Sequence, residues 1–200
     1  IVTDMGTSFT CTMQGFKTKK NQRLFTSSGL AAMGFGLPGA IGAVLANNNQ
    51  KRVICITGDG GLMFNLQELQ TAYANNLKLK IIVIDNNGYL TQKLMMKKNF
   101  QSLAGADSKS GVTMPSFEKV LSSFKIKTLF LDKKLKLSLK IKKFLKDDNL
   151  GALIIKTDPL QPLIPRFQSK FDKKGIFIKQ GLESMYPFLD EKDQKKNLNL

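Results

Sequence analysis

Apolar positions fall in short blocks separated by polar turns, and the blocks are of two kinds. The runs 52-RVICIT-57, 80-KIIVID-85, 126-IKTLFL-131 and 152-ALIIKT-157 are almost continuously apolar and rich in β-branched residues. That pattern predicts strands buried on both faces. Between them the apolar residues recur at helical spacing. In 65-NLQELQTAYANN-76, Leu66, Leu69, Ala72 and Tyr73 share one face, with Asn65 or a neighbour available as a cap. The stretch 116-SFEKVLSSF-124 reads the same way, and 29-GLAAMGFGLPGAIGAVLA-46 becomes a tightly packed helix in its later half. The segment 133-KKLKLSLKIKKFLK-146 fits two periods. Leu135, Leu137, Leu139 and Ile141 alternate as in a strand, whereas Leu137, Ile141, Phe144 and Leu145 line a helix. Helix is preferred, because Asp132 can cap it and a strand follows. Short extended pieces, 1-IVTD-4 and 24-LFTS-27, open the chain. Prolines at 159, 162, 165 and 187 predict an irregular tail over 158–200.

Repeated strand–helix–strand order predicts an α/β domain over 1–157, with a mostly parallel sheet between two helical layers. Such sheets bind ligands beyond the carboxyl ends of their strands. The turns 58-GDGG-61 and 86-NNG-88 both fall at that edge, and the polar turn 6-GTS-8 follows the first short strand. Composition then removes alternatives. The chain has no histidine, so every Ser-His, Cys-His or His-metal mechanism is excluded within it. Cys11 and Cys55 form neither a disulfide framework nor a zinc motif. No apolar run approaches the roughly 20 residues that a membrane helix needs. The opening at Ile1, without Met or a signal peptide, reads as a piece cut from a longer, cytoplasmic protein.

The net charge of +16 raises the question of a nucleic-acid partner. The lysine-dense segment 133–146 has a single aromatic residue, and arginine occurs only at Arg23, Arg52 and Arg166. A solvating lysine surface explains this better than specific nucleic-acid recognition. Contact with an acidic partner or a membrane surface stays open.

Gly58-Asp59-Gly60 is the strongest chemical signal. A carboxylate between glycines after a buried strand is costly unless a cation or donors meet it. The glycines allow a ligand close to the backbone, and the helix that follows favours an anion. An anion beside Asp59 would be repelled, and a divalent ion between the two removes the conflict, since Mg²⁺ shares oxygen ligands between protein and phosphate. Asn86 offers a second hard ligand one strand later, and Gly88 a backbone carbonyl. Taken alone, GDG is also a common surface turn.

The spacing from Gly58-Asp59-Gly60 to Asn86-Asn87 is similar to the cofactor motif of thiamine diphosphate-dependent enzymes. The segments 26-TSSGLAAMGFGLPGAIGA-43 and 65-NLQEL-69 resemble the acetolactate synthase large subunit, and 3-TDMGTSF-9 resembles the diphosphate-binding turn of the wider decarboxylase group. The match runs over about residues 1–90, with a weaker continuation to 157. The resemblance implies Mg²⁺ on Asp59, Asn86 and the Gly88 carbonyl. It implies a diphosphate held by Gly6, Thr7, Ser8, Gly60 and Gly61 behind Gly58. Met33 matches the apolar wedge that bends the cofactor, although core packing also explains a methionine there. The Ala31 carbonyl, where relatives often have glycine, would accept from the cofactor's amino group. The implied activity is decarboxylation of a 2-oxo acid with carboligation, pyruvate being the default donor. The implied active unit is a homodimer or homotetramer with sites at the interface. The glutamate that activates the pyrimidine ring lies in such enzymes on a separate domain, which nothing in this sequence resembles.

Several features depart from that pattern. A tryptophan that shapes acceptor choice in acetolactate synthases is replaced by Met95, and the chain has no tryptophan. Gln92 stands where pyruvate decarboxylases place a catalytic glutamate; it would either bond a substrate carboxylate or be a surface helix residue. The segments 105-GADSKSGVTMP-115 and 182-LESMYPFLD-190 look more like acetolactate synthase-like proteins of uncertain substrate. FAD as a further cofactor has no support in this chain. A non-ligating 2-oxo acid decarboxylase and a basic nucleic-acid- or anion-binding module without catalysis are the rival functions. Gly34-Phe35-Gly36-Leu37-Pro38-Gly39 also fits GxGxxG, but a dinucleotide fold needs a buried strand directly before Gly34.

Overall fold

The continuous apolar runs become the central strands of one parallel sheet in the computed structural model, which describes residues 1–132, 136–167, 170–171, 174–178, 181 and 184–198. The chain forms two units, Ile1–Gln161 and Pro162–Leu200. The first unit runs β1 (Val2–Thr3), α1 (Thr7–Gly15), β2 (Phe25–Thr26), α2 (Gly36–Ala46), β3 (Val53–Gly58), α3 (Asp59–Leu62), α4 (Glu68–Ala74) and β4 (Leu79–Asp85). It continues through α5 (Leu90–Phe100), α6 (Phe117–Ser123), β5 (Thr128–Leu131), α7 (Leu137–Phe144) and β6 (Gly151–Lys156). The strand order is β2-β1-β3-β4-β6-β5, with every pair parallel. The three-layer α/β fold expected from the pattern is therefore present.

Helices α2, α4 and α6 pack on one face of this sheet and α7 on the other, the arrangement that right-handed crossovers produce. On the first face Val2, Cys55, Ile81, Val83 and Ile154 pack with Leu37, Ala40 and Val44 of α2, Leu69 and Ala72 of α4, and Phe117 and Leu121 of α6. On the second face Lys80, in β4, is buried with its ammonium 4.9 Å from the Phe144 ring centroid and 2.8 Å from Asp147. The chain steps from β1 outward to β2 and then back across β1 to β3. The helices after β1 and β3 diverge from that reversal and leave a crevice at the carboxyl edge.

Local details correct the sequence expectations. The first helical turn after β3 begins at Asp59 rather than Asn65, so GDGG is a helix start and not a free turn. Asn65 caps nothing; its amide donates to the Gly34 carbonyl at 2.8 Å, a longer-range demand that outweighs capping. Asp132 does not cap α7, whose start is Lys136 in a left-handed conformation (φ 56°). Leu135 lies outside the described residues. Ser116 does cap α6, accepting from the Lys119 amide at 3.4 Å. Helices α1 and α5 were not apparent from periodicity, because Thr7–Gly15 and Leu90–Phe100 carry few apolar residues on one face.

The second unit contains more than an irregular tail. Its described residues include the antiparallel strands β7 (Lys170–Phe171) and β8 (Phe177–Ile178), a bridge between Arg166 and Tyr186, and α8 (Glu191–Leu198). These elements lie between and beyond Pro165 and Pro187, so no proline interrupts them. No helix among the described residues is long and apolar enough to cross a membrane.

Candidate cofactor and metal site

The loops that follow β1, β3 and β4 line one cavity of about 340 Å³ at the crevice. Gly6, Thr7, Ala31, Met33, Gly58, Asp59, Gly60, Gly61, Asn86, Gly88 and Gln92 all face it. Ser8 does not. Its hydroxyl is buried and donates to the carbonyls of Asp4 and Met5, each at 3.0 Å. Ser8 can serve a ligand only through its amide, which lies in the first turn of α1. That turn starts at Gly6 (φ 80°), and its first helical bond is donated by the Thr10 amide to the Gly6 carbonyl at 3.0 Å. The amides of Thr7, Ser8 and Phe9 come before that bond, which leaves a helix N-terminus with a preference for anions.

Asp59 is 1% exposed. Its carboxylate accepts from the Gly60 amide and the Gly88 amide, each at 2.8 Å, so the loops after β3 and β4 are joined through this side chain. Burial pushes the Asp59 carboxyl up from its usual range; the Gly88 and Gly60 amides pull it partly back, and the charge of Asp85 adds to the rise. No ion pair among the described residues includes it. Asn86 is 3% exposed, and its amide donates to the Thr7 hydroxyl at 3.4 Å. Its carbonyl oxygen Oδ1 is buried without a hydrogen-bond partner. Buried acceptors are nearly always satisfied, so this one calls for an explanation.

A hard cation supplies one. An under-compensated carboxylate and an orphaned carboxamide oxygen face the same cavity, and both are oxygen donors of the kind that Mg²⁺ takes. No cluster of three His, Cys, Asp or Glu exists among the described residues. A cation here would therefore rely on one carboxylate, one carboxamide, backbone and the ligand's own oxygens. The residues present fit a magnesium-bridged diphosphate.

Gly88 ends the 86–88 turn at φ 114°, against the Ala106 carbonyl, which would clash with any Cβ. The Tyr89 amide donates to that same carbonyl at 2.8 Å, tying the turn to the 105–107 loop. Ala31, also lining the cavity, adopts φ 53°, a left-handed conformation that glycine accepts more readily, and Met33, which lines it too, is 37% exposed. Gln92 is exposed on α5, and Met95, one turn on, is 44% exposed.

Two buried groups that sequence reasoning missed hold these walls. Asp4 is 1% exposed and accepts from the Met5 amide at 2.7 Å, the Gly34 amide at 2.9 Å and the Thr57 hydroxyl at 2.9 Å. It thereby joins the turn after β1, the loop that carries Met33 and the end of β3. Lys93 is fully buried beside the 86–88 turn; burial lowers its ammonium's pKa, and Asp107 and Asp59 partly oppose that. The Asp4 role has no local signal, since Gly34 and Thr57 lie far from it in sequence. The dinucleotide alternative fails on geometry. Ser27–Met33 is loop, not strand, and α2 begins inside the glycine motif at Gly36.

Comparison with known proteins agrees with this geometry. The family profile "Thiamine pyrophosphate enzyme, C-terminal TPP binding domain" matches residues 4–155. The acetolactate synthase isozyme 2 large subunit of Escherichia coli is 34% identical over 171 residues, 82% of this chain and 30% of the relative. The isozyme 1 large subunit of that organism is 38% identical over 135 residues, 66% of this chain and 23% of the relative. The acetolactate synthase large subunit of Lactococcus lactis is 33% identical over 167 residues, 82% of this chain and 28% of the relative. The chain thus spans less than a third of the length of these relatives. Fold, cavity and sequence relationship lead to one conclusion: the chain belongs to the thiamine pyrophosphate enzyme family and carries its C-terminal cofactor-binding domain.

Proposed function

We propose that this chain is the diphosphate- and metal-binding part of a thiamine diphosphate-dependent enzyme that decarboxylates a 2-oxo acid and joins the remaining fragment to a second carbonyl compound. Asp59 and Asn86 hold Mg²⁺ through side-chain oxygens and Gly88 through its carbonyl. The amides of the first turn of α1, with Gly60 and Gly61, receive the diphosphate. Met33 and the Ala31 carbonyl set the bend of the cofactor, and Gln92 is placed for a substrate carboxylate. When bound, the cofactor supplies the electron sink for loss of CO₂. The protein's share is to orient it, shield it and balance its charge.

The observation that carries the reading is the buried, unpartnered Asn86 Oδ1 in the same cavity as Asp59. A purely structural turn gains nothing from that arrangement. The kinship with acetolactate synthase large subunits supports carboligation from pyruvate, a homodimer or homotetramer with interfacial sites, and a partner domain that supplies the pyrimidine-activating glutamate.

The test is calorimetric titration of the complete protein with thiamine diphosphate, with and without Mg²⁺, followed by assay with pyruvate and other 2-oxo acids. The expected result is Mg²⁺-dependent binding and an acetolactate-type product. Aldehyde as the sole product would move the assignment to a non-ligating decarboxylase. Binding that ignores Mg²⁺ would remove the metal assignment.

A further inference from the structure

We infer that Lys93 is a positioning residue for the metal loop: its ammonium holds the backbone carbonyls of Asn86 and Asn87 and so sets the Asn86 carboxamide and the Gly88 carbonyl for a divalent cation. The inference rests on the metal reading above and deepens it.

Lys93 is 0% exposed. Its Nζ donates to the Asn86 carbonyl at 2.9 Å and to the Asn87 carbonyl at 3.1 Å. It takes part in no ion pair among the described residues, although Asp107 and Asp59 act on it as charges at longer range. A desolvated ammonium is costly, and a methionine would fill similar space without that cost. The lysine therefore needs a reason beyond packing, and the turn that it grips provides one. Asn87 (φ 58°) and Gly88 (φ 114°) are consecutive left-handed residues, a conformation that asparagine and glycine tolerate best. It directs two successive carbonyls to one side, where a single cation can collect both.

The placement of Lys93 separates this role from ligand binding. It does not line the cavity that Asp59, Asn86, Gly88 and Gln92 share. Its positive charge meets the loop from behind, through carbonyl oxygens, and leaves the cavity side to the metal. Its backbone amide donates to the Tyr89 carbonyl at 2.9 Å in the first turn of α5, so that helix and the turn are held as one body.

The experiment uses the complete protein with Lys93→Met and Lys93→Arg. Two quantities are measured: the Mg²⁺ concentration that half-saturates thiamine diphosphate binding, and hydrogen exchange of amides 86–89 in the metal-free protein. Lys93→Met is expected to raise the Mg²⁺ requirement by about 10- to 100-fold, the range for loss of a group that orients a metal ligand. It should also speed exchange at 86–89 while β3 and β4 exchange as in the wild type. Lys93→Arg, which keeps charge and donors, should come back to within about threefold. Unchanged Mg²⁺ dependence and unchanged exchange in Lys93→Met overturn the inference. So does faster exchange across the whole sheet that arginine does not rescue, because that marks general destabilisation. If Lys93→Met does not fold, Lys93→Gln decides by the same two measurements and the same criteria. If the wild type itself binds no Mg²⁺, the metal reading fails and takes this inference with it. If the wild type binds Mg²⁺ and Lys93→Met matches it, only the inference about Lys93 fails.

Discussion

Two cavities of similar size open on the carboxyl edge of the sheet, about 340 Å³ beyond β1, β3 and β4 and about 320 Å³ beyond β4, β6 and β5. Strand β4 serves both, through adjacent residues. Asp85 faces the second cavity, where it meets Lys156 at 3.4 Å, an ion pair in which the lysine side chain is 55% exposed. Asn86 faces the first, with its oxygen buried and unpartnered in the cavity that Asp59, without an ion-pair partner among the described residues, also lines. In the second hollow Asp85 has a cationic partner that water also reaches. In the first a buried carboxylate is met only by backbone amides, and the neighbouring carboxamide oxygen by nothing. Volume does not tell the two apart; the unpartnered carboxamide oxygen that lines only the first does.

The contrast can be broken from either side. The largest effect is expected at the metal donors. Asp59→Ala and Asn86→Leu should each weaken Mg²⁺-dependent thiamine diphosphate binding by about 100-fold or more, since direct ligands matter at least as much as their supports. Asp85→Asn, one residue from Asn86, should leave that binding within about twofold. Calorimetric titration of all three variants decides whether the two sides of β4 really differ. Next, Gly88→Ala should cost about 2–3 kcal/mol in urea unfolding, because a Cβ would meet the Ala106 carbonyl at a left-handed position.

A smaller loss is expected away from both cavities, at the pair under α7. Asp147→Ala leaves the Lys80 ammonium buried over Phe144 and should cost about 1–2 kcal/mol. That is below the roughly 3–5 kcal/mol of a fully buried pair, because Asp147 is half exposed. The Lys80 hydrogen bond holds the Asp147 carboxyl below its usual range. Its contribution is therefore complete above the unfolded carboxylate pKa and lost as pH falls through the lower folded value. Asp147→Asn should flatten that part of the acid limb in stability-against-pH measurements. The smallest effect is Lys156→Met, which breaks the exposed pair and should change stability by no more than about 0.5 kcal/mol, less still in high salt.

Legibility followed the range of each interaction. The strands at 53–58, 79–85 and 151–156 could be read because apolar burial on both faces leaves a continuous local pattern. Asp59 and Asn86 were legible as candidates because each directly follows such a strand. Helices α1 and α5 were not, since position in the crevice rather than an apolar stripe holds them in place. The capping roles expected of Asn65 and Asp132 failed for a related reason: the carbonyl of Gly34, distant in sequence, competes for Asn65, and Lys136 starts α7 in the other case. Ser8 was expected in a free polar turn that holds the diphosphate; it lies instead in the first turn of α1, and its hydroxyl is spent on the backbone of Asp4 and Met5.

What the chain determines by its order of residues alone is a parallel α/β sheet, the edge at which ligands gather, and the oxygen-bearing residues standing there. Whether those oxygens are paired was decided only by folding. The bonds that answer it run from Gly34 to Asp4, from Gly88 to Asp59 and from Asn86 to Thr7, each joining segments distant in sequence. Hydrophobic burial is non-directional and repeats with the local period of a strand or helix, so it is written along the sequence. A hydrogen bond needs one particular partner at one distance and angle, and only tertiary packing supplies that or, as at Asn86 Oδ1, withholds it.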